Sequence, residues 1–164
     1  MVGVICLVGF DWAWYGVDHS PIKRDENTLA DESHISTIDE IIVSRSHAGN
    51  ILEILGSIYC DQQYQIIPAA GSAYKTLEVL QEYADYYLHI TPIKKWDVCA
   101  PDAMLRAHRG TMTTLKNQTI DYNHRKKDFL IEDGLLVTYK RNHNELLKFL
   151  TQSNLTKYLK QKKV

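Results

Sequence analysis

Between residues 40 and 109 two kinds of apolar pattern take turns, and that alternation restricts the fold more than any other feature of the chain. "EIIVSRSH" is a short apolar run ending in polar residues, as expected for a buried strand. "AGNILEILGSIY" follows with helical spacing at Ile51, Leu52, Ile54, Leu55 and Ile58. "YQIIPAAG" reads as a second strand running into a turn, and "SAYKTLEVLQEY" as a second helix with Ala73, Leu77, Val79 and Leu80 inward. "ADYYLHIT" gives a third strand and residues 98 to 109 a third helix. Beyond them, "GTMTTLKN" and "TIDY" predict short strands or turns, "HRKKD" a solvated charge run and "GLLVTY" a strand. From Asn142 an amphipathic helix runs into lysines, whose charge suits a helix C-terminus. Strands and helices in this order predict an α/β fold, a mixed sheet flanked by helices, over residues 41–164.

The preceding residues behave differently. "VGVICLV" and "WAWYGVD", within residues 1–17, read as two strands of an incomplete antiparallel sheet. An unpaired edge there invites a partner strand or aggregation. Residues 18–40 are polar, carry Pro21 and read as a surface excursion. The 164 residues suffice for one domain with a proper core, and 45% hydrophobic with 24% charged residues is ordinary for a globular protein. A net charge of −1 argues against a nucleic-acid polymer or a membrane surface recognised by bulk charge. No apolar run is long enough to span a bilayer, and "MVGVICLVGF" lacks the layout of a signal peptide. Cys6, Cys60 and Cys99 are odd in number and widely spaced, so they read as reduced core thiols, not a disulfide or zinc framework. Two sequons, at Asn117 and Asn154, would matter only in a secretory compartment.

Sites in such sheets gather beyond the carboxyl ends of the strands. Three polar clusters fall there: Ser44 to His47, Gly71 to Lys75, and Lys94 to Asp97. In "IKKWDVCAPDAMLRA", Asp97 reads first as a helix N-cap, with Pro101 tolerated in a first turn whose N–H groups lack partners anyway. The same carboxylate also offers hard oxygen to a divalent cation. Gly71 permits close backbone approach, the following helix offers free N–H groups, and Lys75 brings positive charge.

At these residues the chain resembles the inositol monophosphatase superfamily of magnesium-dependent phosphomonoesterases. "WDVCAPDAMLRAHRGTMTTL" is similar to that family's C-terminal signature. "IVSRSHAGN", "PAAGSAYK" and "HITPIKKWDVCAPDAML" are most similar to its 3′(2′),5′-bisphosphate nucleotidase branch. The resemblance implies a layered sugar-phosphatase-type fold, of which this chain looks like the C-terminal half. It implies Mg2+ as cofactor with Asp97 as a ligand, Trp96 packed beneath the site to hold that carboxylate, and Ser44, His47, Gly71 and Lys75 on a small-molecule substrate, adenosine 3′,5′-bisphosphate. Lys94 and Lys95 would add a positive field favouring two phosphates over one. A Golgi or lumenal setting is also implied, with a cytoplasmic one open, and a homodimer is compatible.

Plainer readings stand beside these. His47 would be an ordinary loop histidine, Lys75 a solvated lysine, the lysine pair a solvated strand end, and "YADYYLH" sheet packing. An inositol-phosphate phosphatase and a non-catalytic nucleotide-binding half-domain are the rival functions. Two departures from the family pattern bear on activity. The acidic Asp-Pro-Leu-Asp-type metal motif is absent, so this chain is expected to hold the metal poorly and turn over little substrate. Arg109 replaces one glycine of the family's Gly-Gly turn, which strains the backbone if a positive φ is needed there.

Overall fold

The computed structural model describes residues 39–46, 49–59, 63–123 and 128–152. The two strands expected within residues 1–17, most of the polar excursion, His47, Cys60 and the charged residues 124–127 therefore lie outside the described residues. Within them the chain runs β1 (Asp39–Ser44), α1 (Ile51–Tyr59), β2 (Tyr64–Ala69), α2 (Ser72–Leu80), β3 (Tyr86–His89), β4 (Ile93–Lys94), α3 (Lys95–Ala107), β5 (Thr111–Thr113), β6 (Leu130–Ile131), β7 (Leu135–Thr138) and α4 (His143–Leu150).

Five strands form one mixed sheet in the order β2-β1-β3-β7-β5. β1 pairs in parallel with both β2 and β3, while β7 runs antiparallel to β3 and β5. Alternate side chains of a strand face opposite sides, so the run Ile41-Ile42-Val43 buries apolar groups on both. Ile41, Val43, Tyr86 and Leu88 pack with Ile54 and Leu55 of α1 and Leu147 and Leu150 of α4. Ile42, Tyr87 and Val137 pack with Val79 and Leu80 of α2 and Val98 and Leu105 of α3. The result is a helix–sheet–helix sandwich. Each wholly buried Ile or Leu in it contributes roughly 2 kcal/mol by removal from water.

The strand order explains why α1 and α2 lie on opposite faces. The chain steps from β1 out to β2 through α1, then reverses across β1 to reach β3 through α2. Right-handed crossovers in opposite directions must use opposite faces. β1 thus sits between two strands whose following helices lie on the other side of the sheet. A crevice opens at the carboxyl end of such a strand, and Ser44 is the last residue of β1.

At the amino ends of β1 and β3 the same sheet is tied by a polar network. Arg141 pairs with Asp39 and, at 3.3 Å, with Asp85. Asp85 Oδ2 accepts the Glu40 N–H at 2.7 Å, and Tyr59 donates its hydroxyl to Asp39 at 2.6 Å while meeting the Tyr86 hydroxyl at 2.7 Å. Asn142 caps α4, accepting the Glu145 N–H at 3.3 Å, and His143 is buried between the hydroxyls of Thr113 and Thr138, each at 2.8 Å.

The third helix departs from its sequence reading. α3 starts at Lys95, with Lys94 as N-cap and no side-chain cap, so Asp97 lies in the first turn and does not cap it. A carboxylate there still suits the positive end of the helix dipole. Pro101 becomes an interior residue, and its missing N–H now matters. Three further expectations change. Leu52 is 66% exposed, Cys99 is exposed and not a core thiol, and "TIDY" forms no strand. Two residues each in β4 and β6 pair as a separate ribbon, too short to leave a period in the sequence. Among the described residues no helix is long and apolar enough to cross a membrane.

Arg109 adopts φ +64°, the left-handed conformation foreseen for that turn. The Gly110 N–H donates to Leu105 O at 2.9 Å and the Arg109 N–H to Arg106 O at 3.0 Å, the paired bonds of a Schellman motif. An L-residue with a Cβ costs about 1–2 kcal/mol in this conformation. Arg109→Gly is therefore expected to stabilise the fold by about 1 kcal/mol, read as a rise of roughly 2–4 °C in Tm. An unchanged or lower Tm would count against this account of the turn.

Candidate functional site

Parallel pairing sets Ile42 beside Tyr87 and Val43 beside Leu88, which carries Ser44 and His89 to the same end and the same face of the sheet. Ser44 Oγ lies 3.1 Å from His89 Nδ1, Tyr87 Oη lies 3.3 Å from that nitrogen, and Thr91 Oγ1 lies 3.0 Å from His89 Nε2. All but Thr91 of these four are buried. Burial is the main reason the Tyr87 phenol stands well above its ordinary pKa. The Ser44 hydroxyl pulls it down, and the Asp97 carboxylate pushes it up. Tyr87 thereby joins the ends of β1, β3 and α3 in one electrostatic neighbourhood.

Lys75 reaches the same place from α2. Its side chain is only 3% exposed, which excludes the solvated-lysine reading. The ammonium donates to Gly71 O at 3.0 Å and lies 4.8 Å from the centre of the Tyr87 ring. Among the described residues no carboxylate pairs with it, and burial lowers its pKa to about 8. A desolvated cation without a counter-ion is suited to receiving an anion. Gly71 holds φ +79° as the N-cap of α2 and offers no capping side chain, so the first N–H groups of that helix stay open to a ligand.

Asp97 is exposed at the start of α3, and its carboxylate has no ion-pair or hydrogen-bond partner among the described residues. Its backbone is held: the Ser72 hydroxyl donates to Asp97 O. Ser44, Gly71, Lys75 and Asp97 are thus gathered around Tyr87. His47 lies outside the described residues.

The remaining expected members are placed elsewhere. Trp96 does not pack beneath the site. It is 59% exposed and leans on Phe129, ring centres 5.9 Å apart, because a helix beginning at Lys95 turns the indole outward. The Lys94 ammonium lies 5.5 Å from the centre of the Trp96 ring. Lys95 pairs with Asp128 at 3.3 Å and lines a separate cleft of about 390 Å³ with Thr114, Gln118 and Asp121. The charge of Lys95 is met there, away from Lys75. Tyr87 and His89 are what sequence reading missed. Alternation in "YYLH" puts them on the Ser44 face, but an aromatic run in a strand reads first as core.

Magnesium prefers near-octahedral oxygen coordination, and one carboxylate cannot supply it. Among the described residues no three His, Cys, Asp or Glu side chains converge. These residues offer one ligand and do not complete a magnesium site.

Residues 12–155 match the family described as the Inositol monophosphatase family. Inositol monophosphatase 3 of Danio rerio is 38% identical over 150 residues, covering 82% of this chain and 43% of the relative. The Golgi-resident adenosine 3′,5′-bisphosphate 3′-phosphatase of Homo sapiens is 40% identical over 162 residues, covering 90% of this chain and 44% of the relative. The chain therefore spans less than half the length of these curated relatives. Among solved structures, CysQ from Bacteroides thetaiotaomicron, a bacterial member of the same family, superposes with a TM-score of 0.52 at 25% identity, over 63% of this chain and 38% of that one. Staphylococcal IMPase-II, at 17% identity and a TM-score of 0.52 over 76% of this chain and 46% of that one, shares the fold.

Proposed function

The chain belongs to the inositol monophosphatase family, and from that premise we propose that it carries the substrate-gripping part of a phosphomonoesterase site for adenosine 3′,5′-bisphosphate. The observation that carries this reading is the buried Lys75 ammonium, which has no carboxylate partner among the described residues and lies over the ring of Tyr87, the residue that Ser44 and Asp97 also influence. In this reading Lys75 and the open N–H groups of α2 hold phosphate oxygens, and the Ser44 hydroxyl, backed by His89, bonds the nucleotide. His47, assigned to the nucleotide by the family resemblance, lies outside the described residues. Asp97 gives one oxygen to Mg2+, the cofactor the family implies, whose chemistry when fully held is to activate water and stabilise phosphoryl charge. No catalytic step is assigned to the described residues, and hydrolysis of the 3′-phosphate is proposed for a complete site. A Golgi setting accords with the name of the human relative.

An inositol phosphate is the second reading, favoured by the Danio rerio relative. Calorimetry on the full chain with Mg2+ separates the two. Adenosine 3′,5′-bisphosphate is expected to bind at least tenfold more tightly than inositol monophosphate, since a second phosphate adds charge-assisted hydrogen bonds of roughly 1.5–3 kcal/mol each. Tighter binding of inositol monophosphate would transfer the assignment to the second reading. Absence of heat with either ligand would remove both.

A further inference from the structure

An interior proline in a helix deprives one carbonyl of its donor, four residues back. In α3 that carbonyl belongs to Asp97, because Pro101 stands where an N–H would otherwise meet it. The vacancy falls on the residue proposed to give an oxygen to Mg2+, whose carboxylate acts on Tyr87. It is filled from outside the helix: Ser72, the first residue of α2, donates its hydroxyl to Asp97 O. The neighbours of Ser72 in sequence are Gly71, at φ +79°, and, one turn on, Lys75, whose ammonium donates back to Gly71 O. Farther along, the two helices share one apolar cluster through Val79, Leu80, Val98 and Leu105.

We propose that Ser72 is a positioning residue: its hydroxyl replaces the bond that Pro101 denies to Asp97, and so fixes the Asp97 carboxylate relative to Lys75. The two ends of the proposed site, one cationic and one anionic, are thereby registered by a hydrogen bond at the starts of two helices that also pack together farther along. Without it the start of α3 is still tied to the β6 side, where the Lys95 N–H donates to Phe129 O at 2.9 Å and Lys95 pairs with Asp128, but the bond that ties Asp97 O to the start of α2 is lost. The resulting play in the backbone of a binding group costs affinity, because the group is no longer held in the geometry that the ligand needs.

This inference rests on the proposed ligand-binding role of Asp97, and Pro101 supplies a test of it that a general loss of stability does not mimic. In Pro101→Ala the helix regains its own donor to Asp97 O, so the Ser72 hydroxyl becomes dispensable. Four full-length chains are compared: wild type, Ser72→Ala, Pro101→Ala and the double variant. Affinity for adenosine 3′,5′-bisphosphate with Mg2+ is measured by calorimetry, and Tm is recorded to verify folding. Ser72→Ala is expected to weaken binding roughly tenfold in the wild-type background. In the Pro101→Ala background the same change is expected to weaken it less than about threefold. Ser72→Thr, which keeps the hydroxyl, should bind as wild type does. Equal losses in both backgrounds would overturn the proposal, because the hydroxyl would then act otherwise than through Asp97 O. Unchanged affinity in Ser72→Ala would also overturn it, while leaving the functional reading in place. If the wild-type chain itself binds nothing, the functional reading fails and this inference fails with it.

Discussion

Gly134→Ala is expected to destabilise the protein by about 3–5 kcal/mol, enough to consume a large part of a domain's stability. Gly134 holds φ +66° in the turn between β6 and β7, where a Cβ would strike the carbonyl oxygen of His89. The same Cβ would stand 3.1 Å from Ile90 Cα and 3.1 Å from Leu115 Cδ1. Two of those three atoms are backbone, so relief requires the end of β3 to move. That end carries His89 and, through it, the orientation of Ser44. Urea unfolding measures the loss directly, and the surviving folded fraction should also bind adenosine 3′,5′-bisphosphate less tightly. A midpoint near that of the wild type would show that β3 tolerates displacement and that the close approach at Gly134 is not needed.

Lys75→Met is expected to move stability and binding in opposite directions. The buried ammonium has a pKa near 8, below the ordinary lysine value of 10.5, and burial is the cause. Below pH 8 the lysine is charged in both folded and unfolded chains, and the folded state bears the full penalty. Between pH 8 and 10.5 the unfolded chain binds more protons, so wild-type stability gains with rising pH; above that window the penalty is gone. Methionine removes the charge and keeps the stem, and Gly71 O retains the Lys75 backbone N–H at 3.2 Å as donor. The variant should therefore exceed the wild type by on the order of 2 kcal/mol near neutral pH. That advantage should fade through pH 8 to 10.5. Affinity for the bisphosphate should fall roughly 10–100-fold, the worth of a hydrogen bond to a charged group. Equal binding by the variant would dismiss Lys75 as a phosphate ligand, and an advantage independent of pH would locate the penalty elsewhere.

The layered fold could be read from the sequence because its signal is periodic. Ile41-Ile42-Val43 and the four residues of β3 are unbroken runs, as expected of strands covered on both faces, the stripe of α1 marks that helix's covered side, and the order of elements then fixes the crossovers. Asp97 and Pro101 together imitate an N-cap and a first turn, which hides the true start of α3. The residue that stands at the cap is Lys94, which has no capping chemistry and leaves no mark in the sequence. For the site, Ser44, Gly71, Lys75 and Asp97 were recognisable as polar residues following apolar strands. The roles of Trp96 and Lys95 depend on rotation about a helix axis, and a start at Lys95 in place of residue 98 redirects both. Tyr87 and His89 escaped notice because they sit inside strand β3, where a polar tip on a buried ring is indistinguishable from packing until the neighbouring strand is known.

The opposed ends of the central sheet have separate duties. Asp39, Asp85, Arg141 and the two tyrosine hydroxyls bind the amino edge into a knot, while the groups proposed to meet a small molecule stand at the carboxyl edge, on the end of β1 and the starts of α2 and α3. The polar network is built from the strand starts and from Arg141, and it shares no residue with Ser44, Gly71, Lys75 or Asp97. A substitution that loosens one end therefore need not disturb the bonds that hold the other.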